Sequence, residues 1–193
     1  MLNERLKKYH VILASKSPRR RFLLKELGLN FEIRTKDVDE SFPKNLKGKQ
    51  IALYLCKKKA EAFKSELKPN DLLITADTIV WIGNKVLNKP ADHNEAVKML
   101  KHLSDKMHIV YTGVSIATTM KQKTFFAETK VFFKKLSPKE IDFYVSNYKP
   151  FDKAGAYGAQ EWIGYVGVKK IIGSYFNVMG LPVKELYEEL MRF

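Results

Sequence analysis

The stretch from Val11 to Gly28, VILASKSPRRRFLLKELG, leaves the chain little local freedom. Val11, Ile12, Leu13 and Ala14 form an apolar run short enough to read as a buried strand and too short for a helix. Ser17 then offers an N-cap oxygen and Pro18 suits the first helical position. Phe22, Leu23, Leu24 and Leu27 recur at helical spacing until Gly28 closes the helix. The unit is a strand, a tight turn and a helix. Its helix N-terminus presents unpaired N–H groups and the positive end of the macrodipole, and Arg19, Arg20 and Arg21 crowd the same first turn. Cations there oppose the dipole by roughly a few tenths of a kcal/mol each. An anion resolves the conflict: two seryl hydroxyls, free amides and forked guanidiniums after a strand make a site suited to a polyphosphate. The competing reading of an RRR run is a solvated basic turn, and the strand–turn–helix context weighs against it.

The rest of the composition narrows the class. At 193 residues, with 45% hydrophobic and 29% charged side chains, the chain can bury a full core as one domain or two closely joined lobes. A net charge of +14 implies attraction for polyanions such as nucleotides, nucleic acid or an acidic membrane surface. The lone Cys56 rules out an intrachain disulfide and a multi-cysteine zinc site, which fits a reducing cytoplasm; it reads as a small buried apolar residue of a helix. Only the short VILA run follows Lys7 and Lys8, so there is no signal-peptide core, and no apolar stretch approaches the ~20 residues of a membrane helix. A soluble, cytoplasmic protein is expected.

In chain order, Phe31 to Lys36 alternates as a half-buried strand and leads into the acidic Asp37-Val-Asp-Glu40; Ser41 to Gly48 reads as a loop and Lys49 to Leu67 as a long helix. Leu72 to Ile82 is almost continuously apolar and β-branched, as a strand covered on both faces would be, and Gly83-Asn84 turns it into a hairpin with Lys85 to Leu87. Asp92 to Leu103 is a capped amphipathic helix. His108 to Ala117 and Phe125 to Phe133 read as strands, and Ser137-Pro-Lys-Glu140 is a capping box. Then come the glycine-rich Asp152 to Gln160, strand character from Trp162 to Ile172, a glycine-bounded loop from Gly173 to Leu181 and a C-terminal helix after Pro182. This order predicts an α/β protein: a mixed twisted sheet with flanking helices, 1–193 forming one domain of two lobes around a deep cleft without a separable linker.

Asp77 is the residue that most demands a job. A charge inside an apolar strand costs several kcal/mol unless it is paired, metal-bound or facing a wet cleft. Glu40, at a strand end, offers a second carboxylate, and hard oxygen ligands of this kind suit Mg²⁺ or Mn²⁺ shared with substrate phosphates. Arg19, Arg20, Lys59 and Lys89 add separate cations, completing the parts of phosphoryl chemistry. On residues alone, Lys59 also fits a solvated helix face. His10, His93, His102 and His108 lack metal-ligand spacing, and no P-loop, GxSxG elbow or dinucleotide fingerprint is present.

The blocks LASKSPRRRFLL, ITADTIV, NKP, YTGV, DKAGAYGAQ and GSYFNVMGLP run in order through the whole chain. Together they resemble the signature blocks of the Maf family of nucleoside triphosphate pyrophosphatases. The resemblance implies a fold like that of the inosine triphosphate pyrophosphatases. It also implies a cytoplasmic, often homodimeric hydrolase that, with a divalent cation, cleaves a nucleoside triphosphate between its α and β phosphates. By motif, Asp77 is the family's proton acceptor; Ser15, Arg19, Arg20, Lys59 and Lys89 contact phosphates; Glu40 helps hold the metal. Arg19, Thr78 and Gln160 match positions linked to base choice in the branch acting on dTTP and UTP. The 7-methyl-GTP branch differs at the first arginine and lacks the DKAGAYG block.

Three blocks depart from the family pattern, at four positions: Asn88 before Lys89, Ala159 and Glu161 in place of the usual GIQG residues, and Phe176 in the GSYSN block. Each spares the implied functional side chain and bears on loop shape. Two other readings compete with a pyrimidine nucleotide pyrophosphatase. One is a basic nucleic-acid-binding or cell-division regulatory protein without hydrolase activity, motivated by the charge and the Lys57–Lys59, Lys134–Lys135 and Lys169–Lys170 runs. The other is a pyrophosphatase of non-standard purine triphosphates.

Overall fold

The computed structural model describes residues 1–193. In chain order the elements are α1 (Leu2–Arg5), β1 (His10–Leu13), α2 (Pro18–Glu26), β2 (Glu32–Ile33), α3 (Lys49–Glu61), β3 (Asp71–Ile82), β4 (Lys85–Leu87), α4 (His93–Leu103), β5 (Met107–Ala117), β6 (Gln122–Phe133), α5 (Pro138–Tyr148), α6 (Trp162–Gly167), β7 (Val168–Ile172), α7 (Tyr175–Met179) and α8 (Val183–Arg192). The strands form a seven-stranded sheet in the order β2-β1-β3-β5-β6-β7, with β4 paired to β3. β1 runs parallel to β2 and β3, whereas β4 is antiparallel to β3 and β7 to β6. The mixed α/β class expected from the sequence is the class observed. No helix is long and apolar enough to cross a membrane.

The chain divides into two compact units, Met1–Asp77 with Thr112–Ala127 and Gly180–Phe193, and Thr78–Tyr111 with Glu128–Met179. In the first, Ile12, Ala60, Phe63, Leu73 and Ala117 share a core that joins β1, α3, β3 and β5. The start of β3 is pinned by Asp71, 2% exposed, which accepts from the Lys68 amide (3.0 Å) and lies 3.1 Å from His10 Nδ1 and 3.3 Å from Arg34 Nη1. In the second, Val80, Leu100, Val110, Phe133, Tyr144 and Ile163 are among the buried residues that pack α4, α5 and α6 onto the sheet. The hairpin turns at Gly83 and Asn84, both at positive φ (54° and 61°), as a two-residue connection with the right twist requires.

Four local expectations are corrected. The half-buried strand over 31–36 shrinks to two exposed residues: Ile33, on the face expected to be buried, is 41% exposed, and Arg34 beside it forms ion pairs with Glu32 and Asp71. The helix begun at Lys49 ends at Glu61; a 3₁₀ turn over Lys64–Glu66 follows, and Phe63 enters the core. Only the second half of the Trp162–Ile172 stretch is strand. Its first half coils as α6 because Gly164 lets the helix lie directly on the Ala159 carbonyl, where any side chain would collide, and Gly167 abuts the Phe133 ring. Close packing thus overrides strand propensity. The Gly173–Leu181 loop holds the short helix α7.

His108, 1% exposed, stacks on Phe133 at 5.5 Å and places Nε2 2.7 Å from the Tyr157 hydroxyl. Burial pushes its imidazole down from 6.5 to about 3. The folded state therefore binds fewer protons than the unfolded state between those values, so His108 contributes stability that is fully present above pH 6.5 and lost as pH falls. The slope is about 1.4 kcal/mol per pH unit, or about 2 kcal/mol between pH 6.5 and 5. Glu140, held near 2 by Lys134 and the Ser137 amide, adds its own loss only below its unfolded value of 4.5. Denaturant melts across that upper window should show the slope in the wild type and a flattened profile in His108→Gln; equal slopes would remove His108 from the account.

Candidate active site

In the first unit the parallel pairing of β1 with β3 stops at Leu13 and Ile74, and Ser15 and Asp77 lie just past it, on the C-terminal side of β1 where ligands usually bind an α/β sheet. β1 ends at Leu13 and delivers the buried Ser15, whose Oγ accepts the Ser17 amide at 3.2 Å. Ser17 caps α2 by accepting the Arg20 N–H at 3.4 Å, and Pro18 occupies the first turn, as its sequence predicts. Arg20 then donates from Nε to the Gly180 carbonyl at 2.8 Å, a contact that fixes the plane of its guanidinium. Burial pulls the Arg20 pKa below the usual guanidinium value; Asp77 and Glu40 oppose that pull, and Arg19 adds to it. Arg20 therefore feels Asp77, Glu40 and Arg19 electrostatically.

α3 supplies the link between the carboxylates. Lys59 Nζ donates to Glu40 Oε1 at 2.8 Å and makes a shorter contact with Asp77 Oδ1. The Asp77 side chain is 10% exposed and that of Lys59 17%, so the charge that looks anomalous in the β3 sequence is balanced in place. The preceding acidic segment is fastened by neighbouring lysines, Lys16 to Asp37 at 2.5 Å and Lys58 to Asp39 at 3.0 Å. Of the Lys57–Lys59 run only Lys57 is exposed, while Lys58 and Lys59 turn toward carboxylates.

Two contacts hold α3 against the sheet at this point. Thr75 donates to the Cys56 carbonyl at 2.7 Å, and Gly113 of β5 passes so close to α3 that a methyl group on it would lie 2.4 Å from the Ala52 carbonyl oxygen. Neither Thr75 nor Gly113 stands out in the sequence as a site residue, although Gly113 lies in the YTGV block. Buried Cys56 is pushed up to about 12, chiefly by burial, which leaves it a packing residue as its sequence suggests.

The donor set is compatible with a divalent cation of a particular kind. Two hard carboxylates, Asp77 and Glu40, meet at one ammonium, so a cation could draw ligands from both and complete its shell with phosphate oxygens. No group of three or more His, Cys, Asp or Glu side chains converges to cage a cation by protein ligands alone.

Of the nine expected site residues, Ser15, Arg19, Arg20, Glu40, Lys59 and Asp77 belong to the first unit, and Thr78, Lys89 and Gln160 to the second. Thr78 follows Asp77 in β3 and is half-buried. Lys89 is exposed just beyond β4, in a segment tied down where the Gly155 amide donates to the Asn88 carbonyl at 3.2 Å. Gly155 sits at φ 70° directly over Val80, whose methyl carbon would lie 2.9 Å from an added Cβ, so the glycine-rich segment needs its glycine there. Gln160 occupies the turn before α6, with Oε1 buried and unpartnered.

Residues 10–193 match the Maf-like protein family. The chain belongs to the Maf family. Among curated relatives of this Maf chain, the dTTP/UTP pyrophosphatase of Bacteroides thetaiotaomicron is 54% identical over 97% of each chain. That of Parabacteroides distasonis is 53% identical over 98% of this chain and 99% of its own, and that of Flavobacterium johnsoniae 52% identical over 98% of both. Among solved structures, the Staphylococcus aureus Ham1 protein aligns with a TM-score of 0.48 at 13% identity, covering 64% of this chain and 71% of its own.

Proposed function

We propose that this Maf-family chain is a hydrolase that cleaves dTTP and UTP between the α and β phosphates, releasing the monophosphate and pyrophosphate. The observation that carries the reading is the Glu40–Lys59–Asp77 cluster in electrostatic reach of Arg20, the residue that Gly180 orients. End-to-end likeness to relatives named dTTP/UTP pyrophosphatases supports the choice of substrate.

In this mechanism the capped N-terminus of α2, Ser15 and the two arginines bind the polyphosphate, with Arg20 preoriented by the Gly180 carbonyl. Lys89 is a further phosphate contact. Asp77 takes the proton of the attacking water, and Lys59 holds that carboxylate in place and opposes the charge developing on phosphorus. Asp77 and Glu40 would hold a divalent cation, Mg²⁺ or Mn²⁺, which supplies Lewis-acid neutralisation of the phosphate oxygens. Thr78, Arg19 and Gln160 are assigned to base selection. The basic surface steers nucleotides toward the protein. We also propose that the chain works as a homodimer in the cytoplasm, without specific nucleic-acid binding.

A panel of triphosphates with Mg²⁺ or Mn²⁺, scored for each product, tests the reading. Pyrophosphate and monophosphate from dTTP and UTP are the expected products. Orthophosphate would mean a different bond is cut, preference for non-standard purine triphosphates would reassign the substrate, and steeply salt-dependent duplex binding without hydrolysis would favour the regulatory alternative.

A further inference from the structure

The turn that carries Gln160 is held at both ends by a buried polar chain. Lys153, 8% exposed, places its ammonium 3.0 Å from Glu161 Oε1 and 2.7 Å from Asp152 Oδ1. The other oxygen of Glu161, Oε2, accepts a short hydrogen bond from the hydroxyl of Tyr144, a side chain with no exposure. That same hydroxyl accepts the Gly158 amide at 3.0 Å, and the turn closes on itself where the Glu161 amide donates to the Gly158 carbonyl at 3.0 Å. Both oxygens of Glu161 are thereby committed, and the first and last residues of the 158–161 turn share one hydroxyl. A Cβ on Gly158 would lie 2.8 Å from the Glu161 carboxyl carbon and 3.1 Å from Gln160 Nε2, so a side chain there would push both groups out of this arrangement. Burial, and then the bond to Glu161, raise the Tyr144 pKa above its usual value, so the phenol stays a donor.

Between these anchors stands Gln160. Its backbone carbonyl accepts from the Tyr165 hydroxyl at 2.9 Å, while its side-chain Oε1 is buried without a partner. A buried acceptor left unpaired is disfavoured, and an N–H donor from a ligand would relieve it. Thymine and uracil have such a donor at N3, flanked by carbonyls that an amide Nε2 can meet. We propose that Glu161, braced by Lys153 and Tyr144, is a positioning residue that presents Gln160 Oε1 to the N3–H of the pyrimidine ring; this rests on the assignment of Gln160 to base selection. Glu161 stands where the family pattern has glycine, so the brace is particular to chains with an acid there.

The test compares Tyr144→Phe, Glu161→Gln and Gln160→Ala with the wild type, measuring kcat, KM and calorimetric affinity for UTP together with inhibition by pyrophosphate, which has no base. Loosening the turn is expected to raise KM and weaken UTP binding about tenfold in all three. Changes in kcat should stay within about twofold, with pyrophosphate inhibition unaltered. If Gln160→Ala shows this pattern and the other two behave like wild type, the brace has no positioning role while the base assignment stands. If Gln160→Ala leaves UTP affinity unchanged, the base assignment fails and the inference falls with it. If Tyr144→Phe and Glu161→Gln lower the melting temperature and weaken pyrophosphate and UTP in parallel, the network is a structural brace only and the proposal is overturned.

Discussion

Asp77→Asn is expected to lower kcat for dTTP about 10³-fold in a protein that still folds. A positioned general base is worth roughly 10²–10⁴ in rate, and asparagine has almost the same shape but cannot take a proton from water at neutral pH. Its amide oxygen can still accept from Lys59, which keeps its contact with Glu40 at 2.8 Å, so the substitution does not strand a lone buried ammonium. Activity and stability should therefore separate: single-turnover rates with dTTP and Mg²⁺ collapse, while the thermal midpoint moves by only a few degrees. Full turnover by a folded Asp77→Asn protein would remove Asp77 from the mechanism. A drop in rate matched by general unfolding would instead make the residue's contribution structural.

What could be read from the sequence was whatever is decided within a few residues. Ser17, Pro18 and the leucine spacing fix α2 because capping and periodicity are local, and Ser17 does cap the helix. The misfit of Asp77 in β3 was equally legible, since a lone acid in an apolar strand needs compensation whatever the fold. Its compensator is not legible from the residues alone: only the family resemblance picks Lys59 out of its run, and as a phosphate contact, not as a partner of Asp77. Three consecutive lysines carry no signal of which one turns inward, and only the approach of α3 to β3 brings Lys59 onto Asp77 while leaving Lys57 in solvent. The same holds for Trp162–Ile172, where β-branched composition suggested strand throughout and the tight seat of Gly164 on Ala159 made half of it helix. Tyr144, Lys153 and Glu161 lie on three separate segments, and nothing in any one of them announces the other two.

Gly113→Ala is expected to be the most damaging change outside the charged cluster. The added methyl would lie 2.4 Å from the Ala52 carbonyl oxygen and 2.5 Å from the carbonyl carbon, and both are main-chain atoms of a helix that cannot rotate aside as a side chain would. Relief requires α3 to move off β5. Overpacking of this kind costs about 3 kcal/mol at the upper end of its usual range, which for a chain of this size lowers the melting temperature by about 6–12 °C. α3 also carries Lys59, so the displacement reaches Asp77 and Glu40, and a misplacement of ~1 Å at a reacting geometry can cost about 10²-fold in rate. Thermal melts and dTTP turnover should fall together, and Ala52→Gly should rescue neither, because the atoms in conflict belong to the backbone. Wild-type stability in Gly113→Ala would mean that α3 does not lie as close to β5 as described, and the pairing of Lys59 with Asp77 would lose its support.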